Sequence, residues 1–440
     1  MKAFKIKNGL QASRYLLSST TISGSTIDLS LGSMFSTTLS SDPAYTFTNP
    51  PASGVAQAFS LEVAGGTTNY VQDSFATNLY TGTGTTAQTI TNGLDLATDG
   101  GMTWIKSRSN AYDHVLQNSE SGITKSLFVN TSDAEDASAP YMTSYNSNGF
   151  TVAGGGWYAT NETAFEYVSW TFKKQAKFFD IVTYTGTGVN GRELSHNLGS
   201  VPGCIIVKNT STSGNDWITH HIGNGGDWWT KRLYLNQTTA VANDSNSFYT
   251  AEPTATSLFL KGTSSVNASG ATYVAYLFAH DTASDSRIKC GSYTGTGADN
   301  PVTLGWAPQW LMIKRTSAAG AWEIMDTTRG MVSGQLVMLE PNTNAVEVNT
   351  ATANSFGTTS TGFTVGGAGN SSNSAGQTYI YMAIRGDAGT DSAITWPTSI
   401  KWPAGVAPTT PVSGKKDLFT FLTTDGGTTY YGKKAAEGIA

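Results

Sequence analysis

Charge is scarce in this chain: 13% of its 440 residues are Asp, Glu, Lys or Arg, about half the usual share. A formal net charge of -5 supplies no basic stripe to hold a phosphate backbone or an anionic bilayer, so neither nucleic acid nor membrane is expected as a partner. Cysteine is nearly missing. Cys204 and Cys290 alone cannot build a disulfide framework, and both are expected as free buried thiols. Nowhere do 18 apolar residues run together, which excludes a membrane-spanning helix. The opening MKAFKIKNGLQASRYLL carries early lysines without the apolar stretch of a signal peptide, so the expected product is made in a cytoplasm and is not exported by a cleaved leader.

What the chain has in quantity is glycine, 48 residues of it, with abundant Thr, Ser and Asn and 11% aromatics. Aromatic and β-branched side chains fill pleated surfaces, and Gly and Asn serve tight turns, so the expected class is all-β. The string YTGTG starts at Tyr80, Tyr184 and Tyr293, spacings of 104 and 109 residues, which suit a small β-sandwich better than a solenoid unit. Other words recur in step with it. A buried-looking strand ends in lysine at Trp104-Ile105-Lys106, Ile206-Val207-Lys208 and Met312-Ile313-Lys314, and a later strand reads Tyr167-Val168-Ser169-Trp170, Tyr273-Val274-Ala275-Tyr276 and Tyr379-Ile380-Tyr381-Met382.

The two ends of the chain make one further domain when taken together. Ile27–Leu31, Tyr45–Thr48 and Phe59–Val63 alternate apolar with polar, as do Asp417–Leu422 and the segment after the Asp425-Gly426-Gly427 turn. Neither set alone has strands enough to hide a core. The expectation is one small split β domain, 27–66 with 391–440, interrupted near Gly65-Gly66. An N-terminal arm, 1–26, precedes it, and three repeats, 72–178, 179–288 and 289–390, are inserted between its halves.

Catalytic and metal chemistry lack their minimum sets. YTGTG lacks the strand-to-helix setting that a dinucleotide G-x-G-x-x-G needs and is not followed by Gly-Lys-Ser/Thr, so it is expected as a glycine-rich turn and not a phosphate loop. His114, His196, His220, His221 and His280 come without HExxH or finger-spaced cysteines. Asp133, Glu135 and Asp136 offer oxygens to calcium but are expected to be solvated. Glu323 with Asp326 is the carboxylate pair a glycosidase would use, yet the second copy has Thr219 and its neighbours where a duplicated enzyme would keep acids. No catalytic residue, metal or cofactor is expected.

Aromatics are the better carriers of function. Trp104 and Trp170 sit in recurring strands and are expected in the core. Trp157 follows Gly154-Gly155-Gly156, and Trp228-Trp229 follows Gly225-Gly226-Asp227, loop settings in which an indole is offered to a sugar or a protein partner. If Trp228-Trp229 lay on a strand, one ring would face in and one out. These three are the candidate ligand-binding residues.

The order DLSLGSMF, TFTNPPASG, FSLEV, ITWPTSIKWPAGVAP, SGKKDLFTFLTTDGGTTYYG resembles a small β domain of virion structural and tail-fibre-type proteins of tailed bacteriophages, here parted by the insertion. The inserted words MTWIKSRSNAYDHVL, SYNSNGFTV, VNASGATYVAYLFAHD and MDTTRGM are similar to a domain found in tandem in phages of aquatic bacteria, cyanophages above all. That resemblance implies concanavalin-like or laminin-G-like sandwiches, a place in the virion among other tail or capsid proteins, and a homotrimer. It also implies a non-enzymatic role as a tail fibre or appendage touching a host-surface glycan or protein. A head-fibre or capsid-decoration protein and a polysaccharide-degrading tailspike are the alternatives.

Overall fold

The structure, a computed structural model, describes residues 20–22, 24–38, 44–64, 71–243, 249–283, 286–331, 335–351, 356–367, 371–386, 394, 396–408 and 416–439. The expected interruption at Gly65-Gly66 lies outside them. Among the described residues the chain is mostly strand, with one short α-helix at Leu96–Asp99. It divides into two compact units, Met1–Thr68 with Gly389–Ala440, and Asn69–Ala388.

In the first unit, one six-stranded sheet takes strands from both ends of the chain. Its centre is Ser53–Ala64 paired antiparallel with Lys416–Asp425, Ala64 facing Lys416. Met34–Thr38 lies parallel to the former, and Tyr430–Ile439 antiparallel to the latter. Alternation places Phe59, Leu61 and Val63 with Phe419 and Phe421 in the core, where Phe59 stacks on Phe421 at 5.0 Å. The sheet starts before residue 27: Thr20–Thr21 pairs with Phe35 and Ser36, so that part of the expected arm is an edge strand. At Asp425-Gly426-Gly427 both glycines have positive φ, and the Asp425 carboxylate accepts from the Thr429 N–H at 3.0 Å.

The second unit holds the three repeats, each with a large and a smaller antiparallel sheet, to which the third adds a two-stranded pair, Gln335–Met338 with Val348–Ala351. The large sheets centre on Gly101–Ser107 with Glu166–Lys173, Pro202–Asn209 with Thr272–Ala279, and Pro308–Arg315 with Thr378–Arg385. Both faces of these strands are buried. In the third repeat Leu311 and Ile313 face its own smaller sheet, while Trp310 and Met312 face outward into a cluster shared by all three repeats. Phe172 is where the copies meet, its ring 5.9 Å from Trp310 and 5.5 Å from Phe278. The repeats are therefore not separate modules: a sheet apolar on both faces must be covered twice, and its second cover is the neighbouring copies.

The copies contact one another in a closed cyclic order. Trp217 donates its indole N–H to the Phe128 carbonyl (3.1 Å), Trp322 to that of Tyr234 (2.8 Å), and the His114 ring bonds that of Glu340 (3.1 Å). The backbone N–H of each ring-bearing residue is bonded by Asn236, Asn342 and Asn130 of its own repeat. A second cycle runs the other way through backbone bonds, Glu135 to Thr210, Val241 to Thr316 and Glu347 to Arg108, each 2.9 or 3.0 Å. Second bonds to first, third to second and first to third, which is pseudo-threefold closure within one chain.

Candidate ligand-binding surface

Each YTGTG turn is pinned by one buried asparagine. Asn161 donates to the Thr86 and Ala153 carbonyls and accepts from the Thr83 N–H. Asn267 joins Val189 and Thr187 in the same way, and Asn373 joins Ala298 and Thr296. The leading tyrosines stack on Tyr167, Tyr273 and Tyr379 at 5.0 to 5.1 Å. Their hydroxyls donate to the carbonyl just before each asparagine. A Cβ at Gly82 or Gly186 would lie 2.0 Å from the carbonyl oxygen of Glu162 or Ala268, so these glycines exist for close backbone approach. The string is a structural turn.

In repeats 1 and 2 that pinning fixes the loop before and after the asparagine in one backbone geometry; in repeat 3 the acceptor of the second tyrosine hydroxyl, Ser371, lies two residues before Asn373 and not three. The Trp157 carbonyl accepts from the N–H groups of Thr160 and Asn161, as Thr263 accepts from Val266 and Asn267. Tyr158 accepts from the Tyr167 hydroxyl at 2.8 Å, Ser264 from Tyr273 at 2.7 Å and Ser371 from Tyr379 at 2.9 Å. Phe165, Ala271 and Gln377 each accept from the first glycine of the turn. The side chains at these matched positions differ in kind. Repeat 1 has Trp157, Tyr158 and Phe165 where repeat 2 has Thr263, Ser264 and Ala271.

The aromatics of repeat 1 form a surface layer. Tyr158 is 55% exposed and lies nearly parallel to Tyr112, centroids 5.3 Å apart and 10° between planes; Tyr112 in turn stacks on Phe165 at 5.9 Å. Trp157, half-buried, tilts against Tyr141 at 5.5 Å. Carboxylates accompany these rings in the chain. Asp113 follows Tyr112 and is held by the Asn130 amide at 2.7 Å, Glu162 lies beside Gly156, and the exposed Glu166 follows Phe165. Arg108 lies 3.9 Å from Glu166 but gives its two-pronged bond to Glu347.

Trp228 and Trp229 take other roles. They open a 3₁₀ turn, Trp228–Thr230, and not a strand; Trp228 is 3% exposed, and Trp229 is partly buried against the shared core. Trp228 therefore offers no ring to a ligand, because the turn folds its indole inward. Trp104 and Trp170 are buried, edge to face at 5.7 Å.

The polar candidates are likewise engaged in the fold. Strand parity turns Glu323 toward its own repeat and Asp326 toward the neighbouring copy, so they do not face one cleft. Glu323 is buried in a small pocket with Arg315 and Tyr379 and accepts from the Ser371 and Ser372 hydroxyls; burial raises its pKa. Asp326 is bound by Arg329 at 2.6 Å and by the Trp170 indole at 3.0 Å. Glu135 pairs with Lys125, and Asp136 caps Ser138. His114 accepts from the Trp104 indole on Nδ1, which leaves Nε2 to donate to Glu340, and burial holds its pKa well below the usual value. The His221 Nδ1 accepts from the Gly223 N–H, and burial takes its pKa down to about 3. His220 is set edge-on to Tyr249 at 4.8 Å. The Nδ1 of His196 accepts from Leu198, and that of His280 from Cys290. Among the described residues no three His, Cys, Asp or Glu side chains gather as a metal site.

The rings missed in the sequence are Tyr112, Tyr158 and Phe165. For two of them the signal was present: aligned on Asn161 and Asn267, Tyr158 and Phe165 stand where repeat 2 has the small residues Ser264 and Ala271. Residues 71–387 match the family described as a domain of unknown function (DUF7483), and the chain belongs to it. No curated protein matches the chain.

Proposed function

We propose that this member of the DUF7483 family is a non-enzymatic structural protein of a tailed-bacteriophage virion, a tail fibre or tail appendage that contributes to host-surface attachment, with each two-sheet repeat a concanavalin-like sandwich. The observation that carries the reading is the insertion. The chain leaves one small β sheet at Ala64 and rejoins it at Lys416, its direct partner, with the whole closed three-repeat unit in between. Such an arrangement suits a small anchoring domain that carries a rigid recognition unit, in line with the resemblance of the end segments to virion proteins. Aromatic rings offered from repeat 1 supply the contact surface. The inter-repeat faces are covered within one chain, so a homotrimer would form through the split unit.

Immunogold labelling of intact particles with antibody against the three-repeat unit tests this. Gold on the tail or its fibres supports attachment. Gold spread over the head replaces the reading with capsid decoration, and particles without gold overturn a virion role altogether.

A further inference from the structure

We infer that repeat 1 alone carries a carbohydrate subsite, built on the exposed face of Tyr158 over Tyr112 and Phe165, which takes a neutral pyranose and discriminates against uronic or sialic sugars. The inference deepens the attachment reading and rests on it for its biological setting.

Pseudo-threefold repetition supplies an internal control. The backbone bonds that place Tyr158 and Phe165 also place Ser264 and Ala271 in repeat 2, and the second of them places Gln377 in repeat 3. The fold is complete with small or polar side chains at those points, so packing does not require aromatics there. An exposed phenol ring nonetheless stands on a second one in near-parallel contact. The Tyr158 carbonyl is held by the Tyr167 hydroxyl, and that of Trp157 before it by the Thr160 and Asn161 N–H groups, so little backbone ordering cost is left for a ligand to meet.

The chemistry of the surface selects the ligand class. A flat, rigid ring with a polar tip matches the C–H face of a pyranose, and carboxylate oxygens accept from its hydroxyls. Asp113 and Glu166 neighbour these rings in the chain, and Glu162 lies beside Gly156; Arg108, 3.9 Å from Glu166, is committed to Glu347, and the Lys106 ammonium is held by the Ser107 and Asn110 carbonyls. A uronate or sialate would meet like charges there without a free guanidinium to receive it. Among the described residues of the three repeats, the exposed large hydrophobics include one aromatic, Tyr158, so the fully offered ring surface lies in one copy.

The test is titration of the purified full chain, by calorimetry, with cellohexaose, chitohexaose and a galacturonate hexamer. Saturable binding of a neutral or N-acetylated hexamer is expected at roughly millimolar affinity or better, with the galacturonate weaker. Tyr158→Ser and Phe165→Ala, which install the residues of repeat 2, should each weaken binding about tenfold with an unchanged melting temperature. Failure of all three hexamers to bind, preference for the galacturonate, or full affinity in Tyr158→Ser would each overturn the inference. Particle labelling reads the attachment proposal separately, so either can fail without the other.

Discussion

Trp170 of the first repeat donates its indole N–H to the carboxylate of Asp326 in the third, 156 residues away, at 3.0 Å. Arg329 bonds the same carboxylate and lies over the Trp170 ring at 5.2 Å, then reaches Glu347, which holds Arg108 of the first repeat. Two anions and two cations thus close the junction between the first and last copies. The matching position between repeats 1 and 2 is a neutral bond from the Asn118 amide to the Tyr276 hydroxyl at 2.9 Å. Among the described residues this two-anion, two-cation set lies at the junction whose partners are farthest apart in sequence, and partner matching is a known use of buried ion pairs.

Arg329→Ala should therefore be costly. It leaves Asp326 buried beside an indole with no cation, and removing one partner of a buried pair typically costs about 3–5 kcal/mol. Urea unfolding checks this, and Asp326→Asn in the same background should recover part of the loss. A loss below about 1 kcal/mol would show that the junction is not held by this set.

The asparagine pins give a second expectation. Asn161→Ala, Asn267→Ala and Asn373→Ala each strand buried backbone groups, and a loss of about 1–3 kcal/mol for each unmet group is expected. Gly82→Ala should be at least as damaging, since its Cβ would meet a backbone oxygen at 2.0 Å. Melting temperatures of the four variants measure this; a neutral Asn267→Ala would refute the pinning role.

Acid should destabilise the chain through its buried histidines. His221 folds with a pKa of about 3 against 6.5 for the free side chain, and His114 is also held well below its usual value, in both cases chiefly by burial. Between pH 6.5 and 3 the unfolded chain binds protons that the folded chain does not, so stability is full above 6.5 and falls as pH is lowered through that window. His221→Gln should flatten the slope of unfolding free energy against pH. An unchanged slope would assign the acid sensitivity to other groups.

How far the chain could be read in advance depended on where each partner lies. The repeats, their core tryptophans Trp104 and Trp170 and the glycine turn at Asp425 were legible, because period-two burial and turn chemistry are local. Closure was not legible: Trp217 with Phe128 and Trp322 with Tyr234 are 89 and 88 residues apart, and nothing local distinguishes such an indole from one packed in its own repeat. Trp228 was misplaced because the preceding glycines signal a loop and do not reveal a 3₁₀ turn folding inward. The opposite faces of Glu323 and Asp326 could have been read from parity alone, since three positions along a strand reverse the side.

The closed three-repeat unit is tested most directly by hydrogen exchange at the indole N–H groups of Trp170, Trp217 and Trp322, one at each junction or its charged counterpart. If the copies form one cooperative body, all three should exchange with a common free energy equal to that of global unfolding, and Arg329→Ala should lower all three together. Three distinct exchange free energies, with only Trp170 responding to Arg329→Ala, would contradict the account and return the repeats to independent modules.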